Sequence, residues 1–163
     1  MNVLTRQQGG WFIFFSLLFA WIITLLPVPR LISLCWPEWV LLVLIYWCLN
    51  LPYRIGPGWA WVIGMATDIL TGTLLGEHAL SFSLIAFICL AFHQRIQSFP
   101  LFQQGIIVLL LTLIHQVLGN WVTNLTGHPP QSWLPWLTPF FSLLFWPLIF
   151  VLLHNLHFHF RVR

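Results

Sequence analysis

Six apolar runs joined by short polar stretches leave this chain few folds to choose from. The runs are roughly Trp11–Leu26, Pro37–Leu51, Trp59–Leu75, Ala79–Phe92, Gly105–Val122 and Leu134–Leu153. A helix needs about 20 predominantly apolar residues to cross the hydrocarbon core. Each run approaches that length, and the second, third and fourth are short. Short spans require interfacial aromatics or a locally thinned bilayer. Tryptophan stands at many of the run ends: Trp11, Trp36, Trp39, Trp59, Trp61, Trp121, Trp133 and Trp136. That is the pattern of aromatic belts. The expectation is an all-α membrane protein of about six transmembrane helices, a single multi-pass domain over residues 1–163.

Charge supports this reading. Only 6% of the chain is charged against 60% hydrophobic, and mean hydropathy is +0.91. A soluble domain of this length carries far more charge. The net charge of +3 comes with no lysine, and scattered arginines make no nucleic-acid patch, so no nucleic-acid partner is expected. The arginines report topology instead. With six spans, Arg6, Arg54, Arg95, Arg161 and Arg163 share one side and Arg30 lies opposite. The positive-inside rule then makes both termini cytoplasmic. The first run resembles a signal peptide in outline, but no convincing cleavage site precedes Pro27, and it reads as an uncleaved helix.

Local signals refine the runs. Pro37 suits a first helical turn, and Glu38 after it complements the positive end of the helix dipole. Pro139 and Pro147 fall in the last run, where proline bends a helix that its neighbours can support. Glu77 and His78 adjoin Gly76 in a tight turn, and His93 with Arg95 marks another.

Asp68 is the conspicuous residue. It sits within the third apolar run, where a carboxylate costs about 2.5–3.5 kcal/mol at a helix centre. Small residues surround it at a spacing of four: Ala60, Gly64, Gly72 and Gly76. Such a ridge lets another helix approach closely. Successive ridge positions drift by about 40° around an α-helix, so the two ends need not meet the same neighbour. Counting depth along the helices puts Asp68 near the level of His115, so the candidate partners are His115 or a hydroxyl such as Thr112, the alternative being that Asp68 meets only water or helix ends.

Other chemistry is sparse. Cys35, Cys48 and Cys89 are isolated and show no metal-binding spacing. His154, His157 and His159 read as an interfacial anchor next to Arg161 and Arg163. No catalytic, cofactor or metal residues are expected, since catalysis usually needs at least two convergent polar groups. A transporter or ligand-binding module centred on Asp68 is the alternative, although ion pumps usually carry several intramembrane acids or paired broken helices.

Four stretches in order carry a resemblance. They are Trp36-Pro37-Glu38-Trp39 running on to Tyr46-Trp47, then Leu51-Pro52-Tyr53-Arg54-Ile55-Gly56, then Gly64 to Gly76 with Asp68 inside, and finally Phe145-Trp146-Pro147. Together they resemble the rod shape-determining MreD family of Gram-negative bacteria. The resemblance implies a non-enzymatic component of the inner membrane that serves cell elongation and peptidoglycan synthesis. It implies association with MreC, and through MreC with MreB, RodA and RodA's partner transpeptidase. It also implies a fold like the six-helix substrate-binding components of vitamin transporters. The helix-packing or partner-contact residues expected on this basis are Gly64, Asp68, Gly72, Gly76, Pro37, Glu38, Trp39 and Tyr46.

Overall fold

The computed structural model describes residues 8–33, 35–127 and 134–159. The helices are α1 (Gln8–Leu25), the single turn α2 (Arg30–Ser33), α3 (Trp39–Asn50), α4 (Pro57–Thr71), α5 (Glu77–Ser98), α6 (Leu101–Leu125) and α7 (Thr138–His159). A 3₁₀ turn, Leu134–Leu137, leads into α7.

Helix α3 is the axis of the bundle. Its sequence is apolar all round, and such a helix has no face to offer water, so it is buried by neighbours. Every residue from Val40 to Leu49 is buried. Helices α1, α5, α6 and α7 pack against it. Tyr46, Trp47, Phe82, Ile85, Val108 and Trp146 fill the core. Helix α4 leans mainly on α5 and touches α1.

Side-chain hydrogen bonds fix the helix directions. The Trp47 indole N–H donates to Ser16 Oγ at 2.8 Å, and the Trp21 indole N–H donates to Thr67 Oγ1 at 3.0 Å. The Gln97 amide donates to the Leu49 carbonyl, and His157 stacks on Trp47 with ring centroids 6.0 Å apart. So α5 and α7 run with α3, while α1 runs against it. The α3–α4 and α5–α6 turns therefore share one end of the bundle with the start of α1 and the finish of α7. Arg54 and Arg95 belong to this end. At the other end lie Glu38, the α4–α5 turn and the finish of α6.

The expectation of six membrane-spanning helices is not met. Among the described residues, three helices are long and apolar enough to cross a membrane: Glu77–Ser98, Leu101–Leu125 and Pro135–Phe158. The apolar stretches Gly10–Leu25 and Trp39–Asn50 are shorter. Helix α4 has 15 residues, which rise only about 22 Å against a hydrocarbon core of about 30 Å. Two features stop these elements early. Apolar Leu74 and Leu75 extend the third run in hydropathy, yet the helix ends at Thr71 because Gly72 adopts the left-handed conformation, φ 69°. In the second run, Pro37 and Glu38 precede α3 rather than belonging to it.

Other expected bounds shift outward. Helix α5 runs through His93 and Arg95 to Ser98, and the turn comes at Phe99–Pro100. In α7, Pro139 lies in the first turn, where its missing N–H costs little, and Pro147 lies within the helix. The first apolar run is part of the core, since Leu17 and Ala20 are buried. Arg6, Trp133, Arg161 and Arg163 fall outside the described residues.

Candidate functional site

The chain's only acids, Glu38, Asp68 and Glu77, gather at the end of the bundle away from Arg54 and Arg95. The construction begins with Gly64. A Cβ on this glycine would lie 2.6 Å from the Ala79 nitrogen and 2.7 Å from the His78 carbonyl carbon. No side chain fits there, so the backbones of α4 and α5 touch. That approach carries Asp68, one turn further along α4, up to the first residues of α5.

The chain reverses between them. Gly72 closes α4 with its N–H on the Asp68 carbonyl, and Gly76 precedes α5 at φ 105°. Both positions lie in the region where a Cβ is strained. The reversed strand of backbone then wraps the Asp68 carboxylate. Oδ2 accepts the Gly76 N–H at 2.9 Å. Oδ1 accepts the His78 N–H at 3.0 Å, the Thr73 hydroxyl at 3.0 Å and His78 Nδ1–H at 2.8 Å. A buried carboxylate needs such donors, and hydrogen bonds to an ionised group contribute about 1.5–3 kcal/mol each.

Two histidines continue the network. His78 meets Phe82 edge-on, and its ring centroid lies 5.2 Å from that of His115 on α6. The Ser81 hydroxyl donates to the Glu77 and His78 carbonyls, both at 3.1 Å. Its oxygen therefore accepts from His115 Nδ1–H, 2.8 Å away. Glu38 stands just before α3 and makes no capping hydrogen bond to that helix. Its carboxylate and one nitrogen from each imidazole lie within 4.8 Å of one another. Glu77 points its Oε1 at α6, toward the space that Gly119 leaves open.

The expected site residues divide into three groups. Gly64 and Asp68 share the α4–α5 contact, whereas Gly72 and Gly76 shape the turn instead of prolonging a ridge. Pro37 is buried, and Trp39 packs edge-on against Trp36 and Phe145. Tyr46 is fully buried on α3, edge-on to Trp47 and Phe150. Pro37 and Tyr46 are thus buried, and Trp39 is partly buried against the core. His115 is a neighbour of Asp68 at one remove, with His78 between them. Thr112 spends its hydroxyl on the Val108 carbonyl of its own helix, at 2.7 Å.

The pairing of His78 with Asp68 is what sequence reasoning missed. Its signal was present: an acid four residues before a glycine, with a second glycine four further on and a histidine just past it, is the outline of a carboxylate-bound turn. The same arrangement changes the chemistry available to Asp68. Both its oxygens are engaged by this chain's own donors, as befits a structural carboxylate.

The chain matches the family described as rod shape-determining protein MreD over residues 5–156. It is 30% identical over 153 residues to the rod shape-determining protein MreD of Haemophilus influenzae, covering 93% of this chain and 94% of that protein. No solved structure matches. A match of this extent, on a bundle of apolar helices with an acid-bearing turn, makes the chain a member of the MreD family: a multi-pass, non-catalytic membrane protein of rod-shape determination.

Proposed function

We propose that the chain is a scaffold of the cell-elongation machinery that binds MreC within the inner membrane. Through MreC it holds MreB, RodA and RodA's partner transpeptidase in a fixed geometry. The observation that carries a binding role over transport is the occupancy of Asp68. An ion or proton path needs a carboxylate with a free oxygen, and this one is wrapped by four donors from the following turn.

The partner-facing surface in this reading is the outer side of α4. The inner side, with Ala60, Gly64 and Asp68, is consumed by α5, and in the Pro37–Tyr46 segment Pro37 and Val40 to Tyr46 are buried. The outer side exposes Gly58, Trp59, Val62 and Ile69. Gly58 next to Trp59 and Val62 makes a notch of the kind that lets a single apolar helix pack closely. The end bearing Arg54 and Arg95 faces the cytoplasm in this reading, by the positive-inside rule. The start of α1 and the finish of α7 lie at that end, and the acid and histidine cluster lies toward the opposite surface.

Photo-crosslinking tests the assignment. A photoreactive residue at Val62 or Ile69 is expected to capture MreC, and one at Leu148 on the exposed side of α7 is not. Capture from Leu148 but from neither α4 position would overturn the proposed surface.

A further inference from the structure

We propose that Glu38, His78 and His115 form a binding site for a divalent transition-metal ion of the zinc class. Three observations point to it.

The first is the donor set. Two imidazoles and a carboxylate, with one ligand atom each, converge within 4.8 Å of one another. Tetrahedral zinc bonds of about 2.0–2.2 Å put ligand atoms about 3.3 Å apart. Glu38, with three side-chain torsions and no cap hydrogen bond, is the ligand that can draw in. Two histidines and one glutamate with an open fourth position form an established zinc ligand set.

The second is the state of the imidazoles. A ligating histidine characteristically donates its other ring N–H to a carboxylate or another oxygen, which fixes the tautomer and aims the lone pair. Both histidines here are held this way. His78 Nδ1–H goes to Asp68 Oδ1 at 2.8 Å, and His115 Nδ1–H goes to Ser81 Oγ at 2.8 Å. Ser81 has committed its own proton to backbone carbonyls. Each ring is left with Nε2 as its lone-pair nitrogen.

The third is access combined with burial. His115 is 5% exposed, so its lone pair lies away from bulk water. The His78 side chain is 12% exposed and Glu38 is partly exposed, so these two members lie nearer the surface than His115. A bound ion would tie three separate elements together: the start of α3, the first turn of α5 and the middle of α6. Asp68 would act through His78 as a positioning residue.

The test uses the full chain without a histidine tag, purified in detergent and stripped with chelator. Titration with zinc chloride is expected to give about one tight site per chain and to raise the melting temperature by mass action. Cobalt(II) in its place should show the visible absorption of a tetrahedral ion. E38Q and H115A should each weaken zinc binding on the order of 100-fold, and D68N by about 10–100-fold. Changing both His154 and His157 to alanine should leave the tight site unchanged. E38Q decides the matter if H115A does not fold, because Glu38 makes no cap bond that its loss would break. Absence of tight binding, or tight binding that survives E38Q but not the His154 and His157 changes, would overturn the proposal.

Discussion

Asp68 closes a turn with His78, ten residues further along the chain, by accepting both its backbone N–H at 3.0 Å and its ring Nδ1–H at 2.8 Å. The acid that composition marks as an anomaly inside an apolar segment is thereby a fold determinant. Its desolvation is offset locally by the residues that follow it, and its partner stands in the first turn of the next helix, α5.

The close approach of α4 to α5 depends on Gly64. A Cβ there would collide with backbone atoms of His78 and Ala79, and backbone cannot swing aside. Overpacking of this kind typically costs about 1–3 kcal/mol. Gly64→Ala is expected at the upper end of that range, and Gly64→Leu beyond it. Gly119→Ala is the contrast, because its new Cβ would meet only the carboxylate end of Glu77, which can turn away. Thermal unfolding in detergent should show a large loss for the first pair and a small one for the last.

Gly72 and Gly76 should fail for a different reason. Nothing lies within 4 Å of a Cβ at either position, yet both have positive φ. The cost is therefore backbone strain, about 1–2 kcal/mol for a residue with a Cβ. Gly72→Asn should be tolerated and Gly72→Val should not, since asparagine visits this conformation readily. Equal melting temperatures for the two variants would contradict this account.

Much of this arrangement was legible in the sequence. Hydropathy and charge gave an all-α membrane protein, and the motif order pointed to the right family. The spacing of four around Asp68 includes Gly64, where the backbones of α4 and α5 meet. It failed beyond Asp68 because Gly72 and Gly76 keep the spacing while leaving the helix, and Leu74 with Leu75 keep the run apolar. Glycine at a fixed interval looks the same whether it smooths a helix face or bends a chain. The span count failed for a related reason, as α3 and α4 are apolar over fewer residues than the runs that contain them. The sequence places His78 in the turn after Gly76 without pairing it with Asp68, because pairing by depth looks across helices while the residues just past the turn supply a nearer donor.

Helix α1 is fastened to the bundle by two indole N–H bonds, from Trp21 to Thr67 and from Trp47 to Ser16. A hydrogen bond of this kind contributes about 1 kcal/mol net. Trp21→Phe and Thr67→Val should each destabilise the protein, and a double-mutant cycle should return a coupling of about 1 kcal/mol. Thr67→Ser should retain most of it. A coupling near zero would mean that α1 docks through apolar contact alone.

Asp68→Asn tests the central claim most directly. Asparagine keeps one acceptor oxygen but presents an amide to a backbone N–H at the other position, so it should lower stability by about 2–3 kcal/mol. The decisive quantity is the amount of MreC recovered per folded molecule, measured below the variant's melting temperature. The account predicts a lowered melting temperature with that ratio close to the unmutated value. A variant that melts like the unmutated protein but no longer captures MreC would contradict it, and would make Asp68 a partner-contact group instead of the lock of the α4–α5 turn.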